Sequence, residues 1–129
     1  MIKNRNGVII NLSSVHGLRA CKGHSVYAGT KGAIIAHTRE MAIELAPKGI
    51  RVNAVNPGVV VTSIHKRGGM DEEAYAAFLE HSRTTHPIGR VGEAREVADL
   101  IFYLASEKAG WITGATYEID GGRGQTCAR

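Results

Sequence analysis

Three short apolar runs punctuate the chain, and stretches of helical period lie between them. The first run, GVIINLS over residues 7–13, is β-branched and does not alternate with polar residues. Such a run reads as a strand buried on both faces, as parallel strands are. IRVNAV (50–55) and ATYEI (115–119) read as two further strands. Residues 26–47 carry a helical pattern, with Ile34, Thr38, Met41, Ala42 and Leu45 in one stripe and Ile35 and Ala46 widening it. Ser25 is placed to cap this helix, Pro47 and Gly49 to end it, and its length would be roughly 33 Å. Residues 71–83 read as a short amphipathic helix with Ala74, Phe78 and Leu79 inward. Residues 93–106 read as another, with Val97, Leu100, Ile101 and Leu104 on one stripe. Residues 15–24, the turn Asn56-Pro57-Gly58, residues 59–69 and His86-Pro87-Ile88-Gly89 are expected as loops. Strand, helix, strand, helix, strand implies parallel pairing through right-handed crossovers. The expected fold class is therefore α/β, about three parallel strands with flanking helices.

That pattern fits one domain of 129 residues. Sixteen Lys and Arg against twelve Asp and Glu leave a charge of +4, but the basic residues are scattered and aromatics are only 5%. A nucleic-acid surface would cluster the one and interleave the other, so no nucleic-acid partner is expected. Neither a secretory signal nor a membrane-length apolar span is visible. Two cysteines, Cys21 and Cys127, make no spaced framework, which favours a reduced, cytoplasmic setting.

The chemistry gathers at Ser14, Tyr27 and Lys31. Tyr27 and Lys31 stand four apart at the start of the long helix, which puts both side chains on one face. A phenol titrates near ~10 in isolation and is a weak base at neutral pH. A nearby ammonium favours its ionised form, and a hydroxyl donating to the same substrate oxygen completes an acid/base device. The six histidines (16, 24, 37, 65, 81, 86) show no metal-ligand spacing and read as surface or capping residues. Trp111 and Tyr117 read as core, and Asn53 and Asn56 as strand-end and turn residues.

Five segments in order, NLSS, YAGTKGA, ELAPKGIRVNAVNPGVVVT, GRVGEAREVADLIFYLASEKAGWITGATYEIDGG and its Asp-Gly-Gly ending, resemble the short-chain dehydrogenase/reductases. The resemblance runs over about residues 7–122 and matches the C-terminal half of that family. It implies a partial Rossmann-like fold over residues 1–122, with residues 123–129 a polar tail. By resemblance Tyr27 would be the general acid/base, Ser14 would orient the carbonyl oxygen, with Ser13 one residue off the family spacing, and Lys31 would also hold the nicotinamide ribose. Pro57, Gly58, Val60 and Thr62 match the turn beside the nicotinamide, with Val60 offering backbone groups and Thr62 its hydroxyl. Residues 63–87 match the variable substrate-covering region, where Ile64, Met70, Tyr75 and Phe78 would line a pocket or pack in the core. The family's Gly-rich dinucleotide turn has no counterpart here, so the chain reads as a truncated member, an internal start or a fragment.

Three functions compete on these residues. The first is an oxidoreductase acting on a carbonyl or alcohol with NAD or NADP. The second is a cofactor-free, esterase-like hydrolase reusing Ser14, Tyr27 and Lys31. The third is a non-catalytic assembly fragment. An unpartnered first strand is a pairing hazard, so a homo-oligomer through that strand or through the long helix is expected.

Overall fold

The computed structural model describes residues 1–126; Cys127 and the two residues after it lie outside them. Three parallel strands form the sheet in the order β1 (Gly7–Leu12), β2 (Ile50–Pro57) and β5 (Thr116–Ile119). Gly7 pairs with Ile50 and Leu12 with Val55; Ala54 pairs with Thr116 and Pro57 with Ile119. The central strand is the most buried because helices cover both of its faces. Ile50 and Val52 pack with Ala42 of α1 (Ser25–Leu45), joined by Ile9, Met41 and Leu45. Val55 packs on the other face with Leu104 of α4 (Ala94–Ala105) and with Ala109, Ile10, Val97, Leu100 and Ile101. Two-sided burial is the physical reason the first run, GVIINL, shows no alternation in the sequence.

Polar links fix the layers. Asn11 donates to the Thr38 hydroxyl at 2.9 Å, and Thr38, fully buried, donates on to the Ile34 carbonyl at 2.7 Å. Asn53, also buried, donates to the Ile112 carbonyl and accepts from the Ala115 N–H, each at 3.0 Å. It thus extends the sheet's pairing into the α4–β5 loop rather than merely ending a strand.

Several expectations are corrected. Ser25 is the first residue of α1, not its cap; His24 holds the cap position without a side-chain bond. β2 continues through Asn56 and Pro57, read above as a turn, because β5 lies alongside to pair with them. The loop expected over 59–69 contains β3 (Val60–Val61) and α2 (Ile64–Arg67), and β3 pairs in parallel with β4 (Gly92–Glu93). In α3 (Glu72–Thr85), capped by the Asp71 carboxylate, Tyr75 and Ser82 are buried and Ala74 is exposed. Ser82 tolerates burial because its hydroxyl donates to the Phe78 carbonyl at 2.7 Å. Trp111 is no core residue: it is 100% exposed, whereas Tyr117 packs beside Val55. From Arg123 to Gln125 the expected tail is a 3-10 turn, and Arg19 donates to the Arg123 carbonyl and to the Thr126 hydroxyl.

Candidate active site

The site forms where β1 ends. Ser13 continues the ladder with its N–H on the Val55 carbonyl at 2.9 Å. Its hydroxyl donates to the Lys31 carbonyl at 2.8 Å. Ser14, buried, accepts the His16 N–H at 3.2 Å and so caps the 3-10 turn Val15–Gly17. The turn reaches α1 only because residue 17 is glycine: a Cβ there would stand 2.9 Å from the Lys31 carbonyl carbon. The two serines are therefore distinguished. The Ser13 proton is committed to backbone, while Ser14 is occupied only as an acceptor and keeps its proton to donate.

Tyr27 and Lys31 lie on the first two turns of α1. The Lys31 ammonium donates to the Leu12 carbonyl at 3.0 Å and lies 5.7 Å from the centre of the Tyr27 ring. Tyr27 is exposed, and its hydroxyl has no hydrogen-bond partner among the described residues. Ser14, Tyr27 and Lys31 are thus gathered by the β1 end and the α1 start. A cavity of about 320 Å³ lies away from these residues, between Val60, His86, Arg90 and Asp120.

The second predicted cluster sits at the β2 end. Gly58 donates to the Ile119 carbonyl at 3.1 Å, and a Cβ on it would come within 2.8 Å of His86 Nε2 and 3.0 Å of Asp120 Cα. Pro57, Gly58 and Val60 are half-buried, and Thr62 is exposed. The Tyr75 hydroxyl donates to the Thr62 carbonyl at 3.0 Å, tying α3 to this segment. Ile64 is exposed, Tyr75 is buried, and Met70 and Phe78 are half-buried, with the His65 ring 4.5 Å from that of Phe78.

Histidines that the spacing rules set aside as surface or capping residues belong to both clusters. His86 is buried; its Nε2 accepts the Val59 N–H at 3.1 Å and its Nδ1 donates to the Ser82 carbonyl at 2.6 Å. His16 and His24 stack 4.8 Å apart with ring planes 3° from parallel, and the His16 ring meets Tyr27 edge-on at 5.9 Å. The readable signal was position: His16 follows Ser14 by two residues and His24 precedes Tyr27 by three. Burial, then His24, Arg123 and Arg19 nearby, hold the His16 imidazole below its ordinary value. Burial likewise lowers Arg123. At the far end of the β3–β4 pair, the hydrogen bond from Arg90 and then the Glu93 N–H bring Glu96 down to about 2.

A parallel sheet with a serine at a strand end and a Tyr–Lys pair opening the next helix is an α/β arrangement of the Rossmann-like class. The chain belongs to the short-chain dehydrogenase/reductase family: residues 1–123 match the family described as enoyl-(acyl carrier protein) reductase. It is 43% identical over 116 residues to the L-xylulose reductase of Bos taurus, covering 90% of this chain and 46% of that protein. A short-chain dehydrogenase/reductase of unknown function from Caenorhabditis elegans, solved with cofactor, superposes with a TM-score of 0.91 at 34% identity, over 98% of this chain and 48% of that one. ElxO with NADP bound superposes at 0.86 with 37% identity, over 98% and 50%. The chain spans about half the length of the relatives it matches. Among the described residues no helix is long and apolar enough to cross a membrane.

Proposed function

We propose that these residues are the substrate- and nicotinamide-facing C-terminal half of a dehydrogenase/reductase that interconverts a carbonyl and an alcohol with NAD or NADP. The observation that carries the reading is Tyr27, its hydroxyl without a hydrogen-bond partner among the described residues and its ring centre 5.7 Å from the Lys31 ammonium, with the Ser14 proton still available. Ser14 would donate to the carbonyl oxygen and hold it toward Tyr27. As that oxygen gains negative charge, the Tyr27 O–H bond breaks and its proton passes to the oxygen. Lys31 stabilises the phenolate left behind, which solvent reprotonates; in the oxidative direction the proton returns to Tyr27. When bound, the nicotinamide supplies or accepts the hydride.

The residues present fit the nicotinamide end of that group. Lys31 uses one of its three donors on Leu12 and has two to spare. Thr62 exposes its hydroxyl, and the Pro57–Gly58 segment is fixed by Ile119 and His86. Lys31, Pro57, Gly58, Val60 and Thr62 would hold it. They do not fit the pyrophosphate end, which calls for a Gly-rich turn opening a helix; groups beyond these residues would hold it. The hydrolase reading is not favoured, because no side-chain base hydrogen-bonds Ser14 among the described residues.

Nicotinamide mononucleotide tests the assignment, since it carries only the end these residues would hold. Its titration, followed by backbone amide NMR, should perturb Lys31, Gly58, Val60 and Thr62 and should weaken with Lys31→Met. Perturbation spread over the surface, or centred away from the β2 end, would overturn the reading.

A further inference from the structure

The stacked His16–His24 pair meets the Tyr27 ring through His16, and neither the proton transfer nor the nicotinamide assignment uses it. Its geometry is built rather than incidental. His16 is held from behind by its own N–H on Ser14, and its Nδ1 is buried with no hydrogen-bond partner among the described residues. His24 is held by Nδ1 donating to the Lys22 carbonyl at 3.1 Å. Planes only 3° from parallel keep the in-plane nitrogens of the two rings from converging on one point, which suits separate donors to one anion and not a metal. Among the described residues no group of three His, Cys, Asp or Glu could hold a metal ion.

The surroundings supply the sign. The groups acting electrostatically on the His16 ring are His24, Arg123 and Arg19, all cationic or able to become so, and the Tyr27 ring lies edge-on beside it. Arg19 is anchored on the Arg123 carbonyl and Thr126, and Asp120, the carboxylate near Arg123, is taken up by the Gly122 and Gly124 N–H groups. The Cys21 thiol also acts on Arg123, but every charge acting on the His16 ring itself is cationic or able to become so.

We propose that His16 and His24 recognise a carboxylate on the carbonyl substrate, so that the site takes an oxo acid or the corresponding hydroxy acid. This rests on Tyr27 marking the reacting end. The imidazoles would donate N–H bonds to the carboxylate, while Ser14 and Tyr27 engage the carbonyl oxygen. Two imidazoles stacked at 4.8 Å repel when both are charged, so a monoanion suits the pair better than a phosphate dianion. His16 is disfavoured as a cation in the free protein, so binding the anion should draw a proton onto the pair.

The test reads the imidazoles directly and needs no turnover. The Cε1–H resonances of His16 and His24 would be followed in titrations with 2-oxobutanoate, its methyl ester and inorganic phosphate. The proposal expects saturable shifts of both rings with the oxo acid and an upward move of the His16 titration midpoint. It also expects at least tenfold weaker binding of the ester, and at least tenfold weaker oxo-acid binding in His16→Gln and His24→Gln. Equal binding of acid and ester, tighter binding of phosphate, or shifts unaffected by either substitution would overturn it. If nicotinamide mononucleotide perturbs the β2 end while the histidines ignore the oxo acid, only this proposal fails. If the histidines bind the oxo acid but nicotinamide mononucleotide leaves the β2 end unperturbed, only the oxidoreductase reading fails.

Discussion

The Ser13 hydroxyl donates to the Lys31 carbonyl at 2.8 Å, and the Lys31 ammonium returns to the Leu12 carbonyl at 3.0 Å. These reciprocal bonds weld the end of β1 to the second turn of α1, and that weld sets where Tyr27 stands relative to Ser14. Ser13→Ala removes one buried bond and leaves a helix carbonyl that its own ladder already serves. The expected loss is about 1 kcal/mol, read as a lower urea midpoint at unchanged slope. An unchanged midpoint would mean the weld does not hold.

His86 does the same work at the other cluster. With Val59 on one nitrogen and Ser82 on the other, it fastens the segment leaving β2 to the end of α3. His86→Leu fills similar space but leaves the part-buried Val59 N–H unmet and the Ser82 carbonyl with only the Thr85 hydroxyl. A loss of about 1–3 kcal/mol is expected, with faster amide exchange at Val59 and Val60 than at Val52. Protection that drops evenly along β2 would argue against a local clamp.

Much of this was legible in the sequence, and the misses share a cause. Strands 7–13 and 50–55 announced themselves because two-sided burial leaves them short and mostly apolar, with Asn11 and Asn53 admitted only because each is hydrogen-bonded inside the fold. The long helix was legible from its stripe, of which Ile35, Thr38 and Ala42 are the buried members. Tyr27 and Lys31 were legible because four residues make a helical turn. What local pattern cannot carry is partnership at long separation. β3 and β4 are two residues each and exist only through each other, about thirty positions apart. Asn56 and Pro57 look like a turn until β5 pairs with them. Trp111 looks like core by type, yet sits fully exposed beyond the turn that ends at Ala109. The histidines carry no spacing rule, because one clamp spans Val59 to His86 and the stacked pair is assembled by a loop folding back on α1.

His16 gives stability a dependence on pH whose sign is fixed by geometry. Its folded value lies below the ordinary 6.5, with burial the largest cause. The neutral ring is the form the fold favours, so the unfolded chain binds the proton more readily. Stability should be fully present above about 6.5, the ordinary value, and should decline as pH falls from there toward the lowered folded value. His16→Gln should flatten that part of the profile, as urea midpoints between pH 7.5 and 5 would show. Identical profiles for the two proteins would place the titration elsewhere.

Glu96 acts in a lower window. It accepts two bonds from Arg90, at 2.7 and 2.8 Å, and one from the Glu93 N–H at 2.9 Å, completing the capping box that starts α4. The Arg90 bond is the larger cause and the Glu93 N–H the next in bringing its carboxyl from 4.5 to about 2. A depressed carboxyl contributes stability that is present above its unfolded value and lost as pH falls through the folded one. The window is therefore from about 4.5 down to about 2. The group is solvent-exposed, so salt should shrink the effect. Glu96→Gln keeps an oxygen for the Glu93 N–H but loses the charge that Arg90 meets. Between pH 4.5 and 2 the wild type should lose its advantage over Glu96→Gln, and above pH 5 the two should differ by a constant amount. A gap that persists unchanged at pH 2 would show that the helix start depends on shape alone and not on the Arg90–Glu96 charge pair.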